Sequence, residues 1–107
     1  MDDLTELLKG VLEGAVLQIL ARGPNYGYGI ARELNQAGFE SVQEGTVYPI
    51  LLRLEKKALV QVARERSEVG PPRKVYTLNA DGAAALVSFW ERWVFVSARL
   101  AQIKEDR

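Results

Sequence analysis

The carboxy-terminal stretch constrains the fold most. From Leu86 onward, Phe89, Trp93, Val96, Leu100 and Ile103 recur at alternating spacings of three and four. That is a heptad seam nearly three repeats long, and such a seam is stable only against another helix. Asn79 stands just before it as a good helix N-cap. A chain of 107 residues buries roughly two-thirds of the surface that its unfolded form exposes, so a seam shared by two copies would add core that one copy lacks.

The rest of the chain supplies shorter elements. Leu4, Leu7, Leu8, Val11, Leu12, Ala15, Val16, Ile19 and Leu20 fall on one helical face, which predicts a helix from Leu4 to Ala21 opened by the capping box Asp3-Leu4-Thr5-Glu6. Gly23-Pro24-Asn25 breaks it, and Tyr28, Ile30, Ala31 and Leu34 give a second stripe over Tyr26 to Ala37 that stops near Gly38. Phe39 to Gln43 reads as a short extended stretch, and a third helix opens at Glu44 with Val47, Leu51 and Leu54 as its buried face. Pro49 falls in the first turn or so of that helix, where its missing N–H costs little. Leu59 to Arg64 and Lys74 to Leu78 alternate apolar with polar side chains, a hairpin whose tip runs over Ser67-Glu68-Val69-Gly70-Pro71-Pro72.

Three helices, a hairpin and a long last helix are the order of a winged helix-turn-helix. The expected class is α+β, mainly α: one domain over 1–107, with a winged part at 4–78 and a terminal helix at 79–107. Gly27 and Gly29 do not make a phosphate loop, because no strand precedes them and no Lys-Ser/Thr follows; close helix packing explains them better.

Composition narrows the function. With no cysteine and no histidine, the chain has no disulfide, no thiolate nucleophile, no Cys-ligated zinc and no imidazole for proton transfer. Carboxylates such as Glu65 and Glu68, or Glu33 and Glu40, have no neighbouring group that would complete a catalytic pocket. The expectation is a protein without enzymatic activity, metal or cofactor. No run reaches the length of a membrane span, and Met1-Asp2-Asp3 has the wrong charge for a signal peptide, so a cytoplasmic protein without membrane contact is expected. The 14 basic and 14 acidic residues cancel overall, yet residues 44–74 carry a net +3 and residues 1–43 a net −3. A basic middle third suits a polyanion, although an ordinary solvated surface can show the same excess.

Three strings lie in order on these elements: Tyr26-Gly27-Tyr28-Gly29-Ile30 opens the second helix, Gly45-Thr46-Val47-Tyr48-Pro49 with Leu54-Glu55 lies in the third, and Gly70-Pro71-Pro72-Arg73-Lys74-Val75-Tyr76-Thr77-Leu78 crosses the hairpin. Together, over about Leu8 to Gly82, the chain resembles the PadR-like transcriptional regulators. The resemblance implies a winged-helix DNA-binding domain with a carboxy-terminal dimerisation helix, acting usually as a repressor and in many members released by a small molecule. The single short terminal helix is similar to that of the smaller subfamily, which includes multidrug-responsive regulators. Two positions depart from the pattern: Leu52 stands where a basic residue is common, and Ala58 where a glycine commonly ends the recognition helix.

On the third helix, Thr46, Pro49, Arg53 and Lys56 or Lys57 lie off the buried stripe and would face a groove of double-stranded DNA. Tyr48 has two readings, a phosphate contact through its hydroxyl or a ring packed beneath the second helix. On the hairpin, Arg73 and Lys74 follow a stiff Pro-Pro pair, with Arg64 and Arg66 on the opposing strand and its end. The terminal helix is wider in apolar surface than a seam requires, since Trp90 and Trp93 sit about 60° apart around it. Either the excess packs on the first helix, or Phe89, Trp90, Trp93 and Val96, with Leu8 and Leu12, line a cavity at the homodimer interface for a small hydrophobic or aromatic effector. In the multidrug-responsive relatives that the chain resembles, a tryptophan pair on this helix plays that part, which carries over to Trp93 or Trp90. The alternative function is a winged-helix protein-interaction module without DNA binding, favoured by the neutral net charge and Leu52.

Overall fold

A computed structural model of the chain describes residues 7–106. Leu7 and Leu8 are helical, Lys9 to Val11 form a turn, and helix α1 runs over Leu12–Leu20. The single long first helix read from periodicity is therefore interrupted; glycine is a poor helix former, and Gly10 sits in the middle of the turn, which the Val11 N–H closes on the Leu8 carbonyl at 2.8 Å. The capping box at Asp3 to Glu6 lies outside the described residues.

After the turn at Arg22 and Gly23, Asn25–Tyr26 form a two-residue strand, β1, followed directly by helix α2 over Gly27–Gln36. The buried stripe of α2 is Gly27, Ile30, Ala31 and Leu34, so Tyr28, expected among the inward residues, faces out. The helix closes on Gly38 at φ +114°, with the Gly38 N–H on the Asn35 carbonyl and the Phe39 N–H on the Leu34 carbonyl, both at 3.0 Å. Phe39 to Gln43 is a turn rather than the extended stretch expected. The Val42 N–H reaches the Phe39 carbonyl at 3.2 Å, and the Asn35 side chain donates to the carbonyls of Phe39 and Val42 at 2.9 and 2.7 Å.

Helix α3 covers Glu44–Lys56 with Val47, Ile50, Leu51 and Leu54 buried. Strands β2, Val60–Glu65, and β3, Arg73–Leu78, pair antiparallel in the register Val60 to Leu78 through Glu65 to Arg73. Strand β1 adds to the other edge of β3, Asn25 opposite Tyr76 and Tyr26 opposite Val75, giving the sheet order β1-β3-β2. This third strand was not expected; two residues are too few for an alternation to show in sequence. Helix α4 spans Ala80–Glu105, and the Asn79 side chain caps it by accepting from the Gly82 N–H at 2.7 Å. Gly82 lies so close to the Leu59 carbonyl that a Cβ would overlap it, which fixes the start of α4 against the end of α3.

One core joins Leu12, Val16 and Leu20 of α1 to Ile30, Leu34, Leu51, Leu54, Val60, Tyr76 and Leu86. Three helices, an antiparallel hairpin and a long terminal helix make this a winged helix-turn-helix, mainly helical, as expected. The terminal helix stands largely clear of the core, since its buried residues are Gly82 and Leu86 alone.

Candidate nucleic-acid interface

Each residue turns α3 by about 100°, so its four buried residues define the side opposite its most outward line. That line is Gly45, Pro49, Leu52 and Lys56, all exposed. Tyr48 falls on one flank of it, and Thr46, Arg53 and Lys57 on the other. Arg53 and Lys57 turn toward α1, where the Glu13 carboxylate meets Arg53 Nε at 3.6 Å and Lys57 Nζ at 2.9 Å. These two cations thus carry an intramolecular partner that their sequence position did not reveal. The pairs are more than half exposed on the basic side, so each contributes at most about 1 kcal/mol and is exchangeable for another anion.

Tyr48 follows the packing reading, with its hydroxyl on a protein partner. Its ring covers Gly27 at the start of α2, where a Cβ would come within 2.6 Å of it, while its side chain remains 45% exposed. The hydroxyl donates weakly to Glu44 at 3.4 Å. Burial, followed by the negative charge of Glu44, raises the Tyr48 hydroxyl above the ordinary tyrosine pKa, so it remains a donor at neutral pH. The close helix packing expected of these glycines holds for Gly27, which meets Tyr48 of α3, whereas Gly29 lies against the Asn25 side chain of β1, a strand that does precede them, contrary to the sequence reading.

Beyond Tyr48 the wing returns. Pro71, Pro72, Arg73 and Lys74 border an open cleft of about 530 Å³ whose other side is Tyr26, Gly27, Tyr28 and Tyr48. The rings of Tyr26 and Tyr28 stack with centroids 5.4 Å apart and planes at 12°. The Arg73 guanidinium lies over both, 5.7 Å and 5.9 Å from their centroids, and donates to the Tyr28 hydroxyl at 3.0 Å. Tyr26 in turn donates to Glu65, the residue opposite Arg73 in the hairpin. That hydrogen bond, with burial second, raises the Tyr26 hydroxyl above its ordinary value. Lys74 sits across the hairpin from Arg64, and Arg64, Arg66 and Lys74 are exposed. Sequence reading placed Arg73 here but missed Tyr26, Tyr28 and Glu65, because their association depends on β1 docking against β3.

A second, apolar groove of about 390 Å³ runs between α1, the end of α2 and α4, lined by Val11, Ala15, Ile19, Phe39, Phe89, Trp90 and Trp93 among others. Both tryptophans thus face the same groove. Trp90 donates through Nε1 to Gln18 at 2.8 Å and meets Phe89 edge-on, while the Arg22–Glu33 ion pair at 3.0 Å closes one rim. Phe89 is wedged against Gly14, which has no room for a Cβ there. Leu8 and Leu12, expected on this wall, are instead buried in the core, and Val96 lies beyond the groove, exposed. Leu86, expected on a dimer seam, is likewise consumed by the core of the chain itself. Trp93, Leu100 and Ile103 remain exposed on α4.

Among the described residues no group of His, Cys, Asp and Glu could hold a metal ion, and no helix is long and apolar enough to cross a membrane. An exposed outward line on the third helix, a cationic wing and an aromatic cleft between them define a winged-helix regulator by form. The family comparison makes this specific: the profile of the transcriptional regulator PadR-like family matches residues 16–88, and the chain belongs to that family. A PadR-like transcriptional regulator from Bacillus cereus is 39% identical, with a TM-score of 0.78 over 92% of this chain and 95% of its own. A transcriptional regulator from Streptococcus is also 39% identical, with a TM-score of 0.80 over 92% and 96% of the two chains. A PadR family regulator from Eggerthella lenta is 28% identical and superposes with a TM-score of 0.88 over 97% and 90%. PadR proteins are DNA-binding transcriptional regulators.

Proposed function

We propose that the chain acts as a homodimeric, sequence-specific repressor that binds an inverted-repeat operator in double-stranded DNA. In this reading α3 enters the major groove while the wing lies on the adjacent backbone. The observation that carries it is Arg73 held over the stacked Tyr26 and Tyr28 at the edge of the cleft that Tyr48 of α3 also lines. A cation placed in advance loses less side-chain freedom on meeting a phosphate. Thr46, Tyr48, Pro49, Arg53 and Lys57 on α3, with Arg64, Arg66, Arg73 and Lys74 on the wing, are the proposed DNA contacts. Trp93, Val96, Leu100 and Ile103 of α4 form the proposed seam with a second copy, which brings two α3 helices to successive major-groove faces.

The groove bordered by Phe89, Trp90 and Trp93 is the proposed site of a small hydrophobic or aromatic effector. Its apolar lining and the indole faces suit a flat ligand, and release from DNA follows if the ligand prefers the non-binding arrangement of the dimer.

Fluorescence anisotropy tests the DNA reading, using a labelled duplex from the region upstream of the gene beside a scrambled duplex, from about 50 to 200 mM salt. The expected outcome is preferential binding that weakens steeply with salt, with Arg73→Ala weaker on both duplexes and its salt dependence shallower by about one. Equal, weak binding to both duplexes with no effect of Arg73→Ala would refute it for that region.

A further inference from the structure

The first three positions of the outward line of α3 lack what a helix needs to read base edges by side-chain hydrogen bonds. Gly45 has no side chain, Pro49 has neither a polar side chain nor an N–H, and Leu52 at the centre is 52% exposed. The polar side chains of α3 stand on the flanks, apart from Lys56 one turn further along the line. In the major groove a distinctive apolar group for such a surface is the 5-methyl of thymine.

We infer that Leu52 reads the 5-methyl group of a thymine in each half-site, so that the chain prefers a T·A pair there without a hydrogen bond to it. The inference rests on the proposal above that α3 enters the major groove. Pro49 lies about 4.5 Å earlier along the helix axis and extends the same apolar surface, so the methyl group meets two side chains rather than one.

The surroundings favour DNA over a protein as the occupant. A stable protein interface covers about 800 Å² on each partner, and a single half-exposed leucine bounded by Gly45, Pro49 and Lys56 supplies little of that. Lys56 next to it, Arg53 and Lys57 on the flank, and Arg73 and Lys74 on the wing give the face a cationic border that fits a polyanion. The flanking cations supply affinity whatever the sequence, while Leu52 contributes to the choice of base.

The test uses the full chain and a duplex selected by it from a randomised pool. Each thymine of the selected duplex is replaced singly by deoxyuridine, which removes only the methyl group, and binding is measured for the unaltered protein and for Leu52→Ala. Leu52 is exposed and alanine favours helix, so the variant keeps its fold, which thermal melting checks. The expected result is one thymine per half-site whose replacement weakens the unaltered protein by about fourfold, the effect of burying one methyl-sized group. The same replacement leaves Leu52→Ala unchanged. Selective, salt-dependent binding with no uracil effect that vanishes in Leu52→Ala overturns the role of Leu52 and leaves the DNA-binding reading intact. Enrichment of no duplex at all overturns both.

Discussion

Ala58 ends α3 in the left-handed region at φ +58°. Its N–H donates to Glu55 and the Leu59 N–H to Leu54, both at 3.0 Å, so the chain reverses through the double hydrogen bond that usually carries a glycine at this position. An L-residue pays roughly 1–2 kcal/mol for that conformation, partly offset because glycine is freer in the unfolded chain. Ala58→Gly is therefore expected to stabilise the protein by about 1 kcal/mol, a rise of several degrees in melting temperature. Calorimetry or thermal circular dichroism checks it, and an unchanged or lower midpoint would show that Ala58 bears no strain. The departure of Ala58 from the family pattern is legible in sequence, whereas the response of the backbone is not. Tyr28 shows the opposite case: its apolar ring counted toward a helical stripe, yet the true stripe begins one residue earlier at Gly27, whose lack of a side chain hides it from any count of apolar residues.

At the scale of elements, α1 holds the molecule together from both sides. Gly14 admits the Phe89 ring of α4, and Glu13 beside it clasps Arg53 and Lys57 of α3. Glu13→Gln removes the anion that competes with phosphate for those two cations. Its expected effect on stability is below about 1 kcal/mol, because the pairs are exposed. DNA affinity is expected to rise, with a salt dependence steeper by one to two in the logarithmic slope. Titrations at several salt concentrations decide; an unchanged slope would mean that Arg53 and Lys57 do not approach phosphates. Helices α2 and α3 and the hairpin were readable because each carries its own periodicity, as Val47, Leu51 and Leu54 illustrate. The clasp was not, since Glu13 and Lys57 are 44 positions apart and neither charge breaks a pattern. The break at Gly10 and the pairing of β1 with β3 escaped for a similar reason, being settled by packing rather than by local preference.

For the molecule as a whole, the terminal helix divides its apolar residues between two duties. Leu86 closes the core and Phe89 meets α1, while Leu100 and Ile103, 62% and 69% exposed, stand outside the core of the chain. The heptad spacing showed that the stripe exists but not where the first duty ends, because the same spacing serves either partner. Leu100→Glu should therefore leave the chain folded by circular dichroism, convert the proposed dimer to monomer in sedimentation velocity, and weaken binding to the proposed operator by at least about tenfold as the second half-site is lost. A variant that still sediments as a dimer would place the seam elsewhere.

If the bare outer half of α4 pairs as proposed, abundance itself becomes a signal. Where protomers outnumber dimers, the concentration of the proposed DNA-binding species varies as the square of the protein present, so each doubling of cell volume without new synthesis cuts it to about a quarter. Growth alone would then loosen such a repressor's hold on its target, before any small molecule arrives.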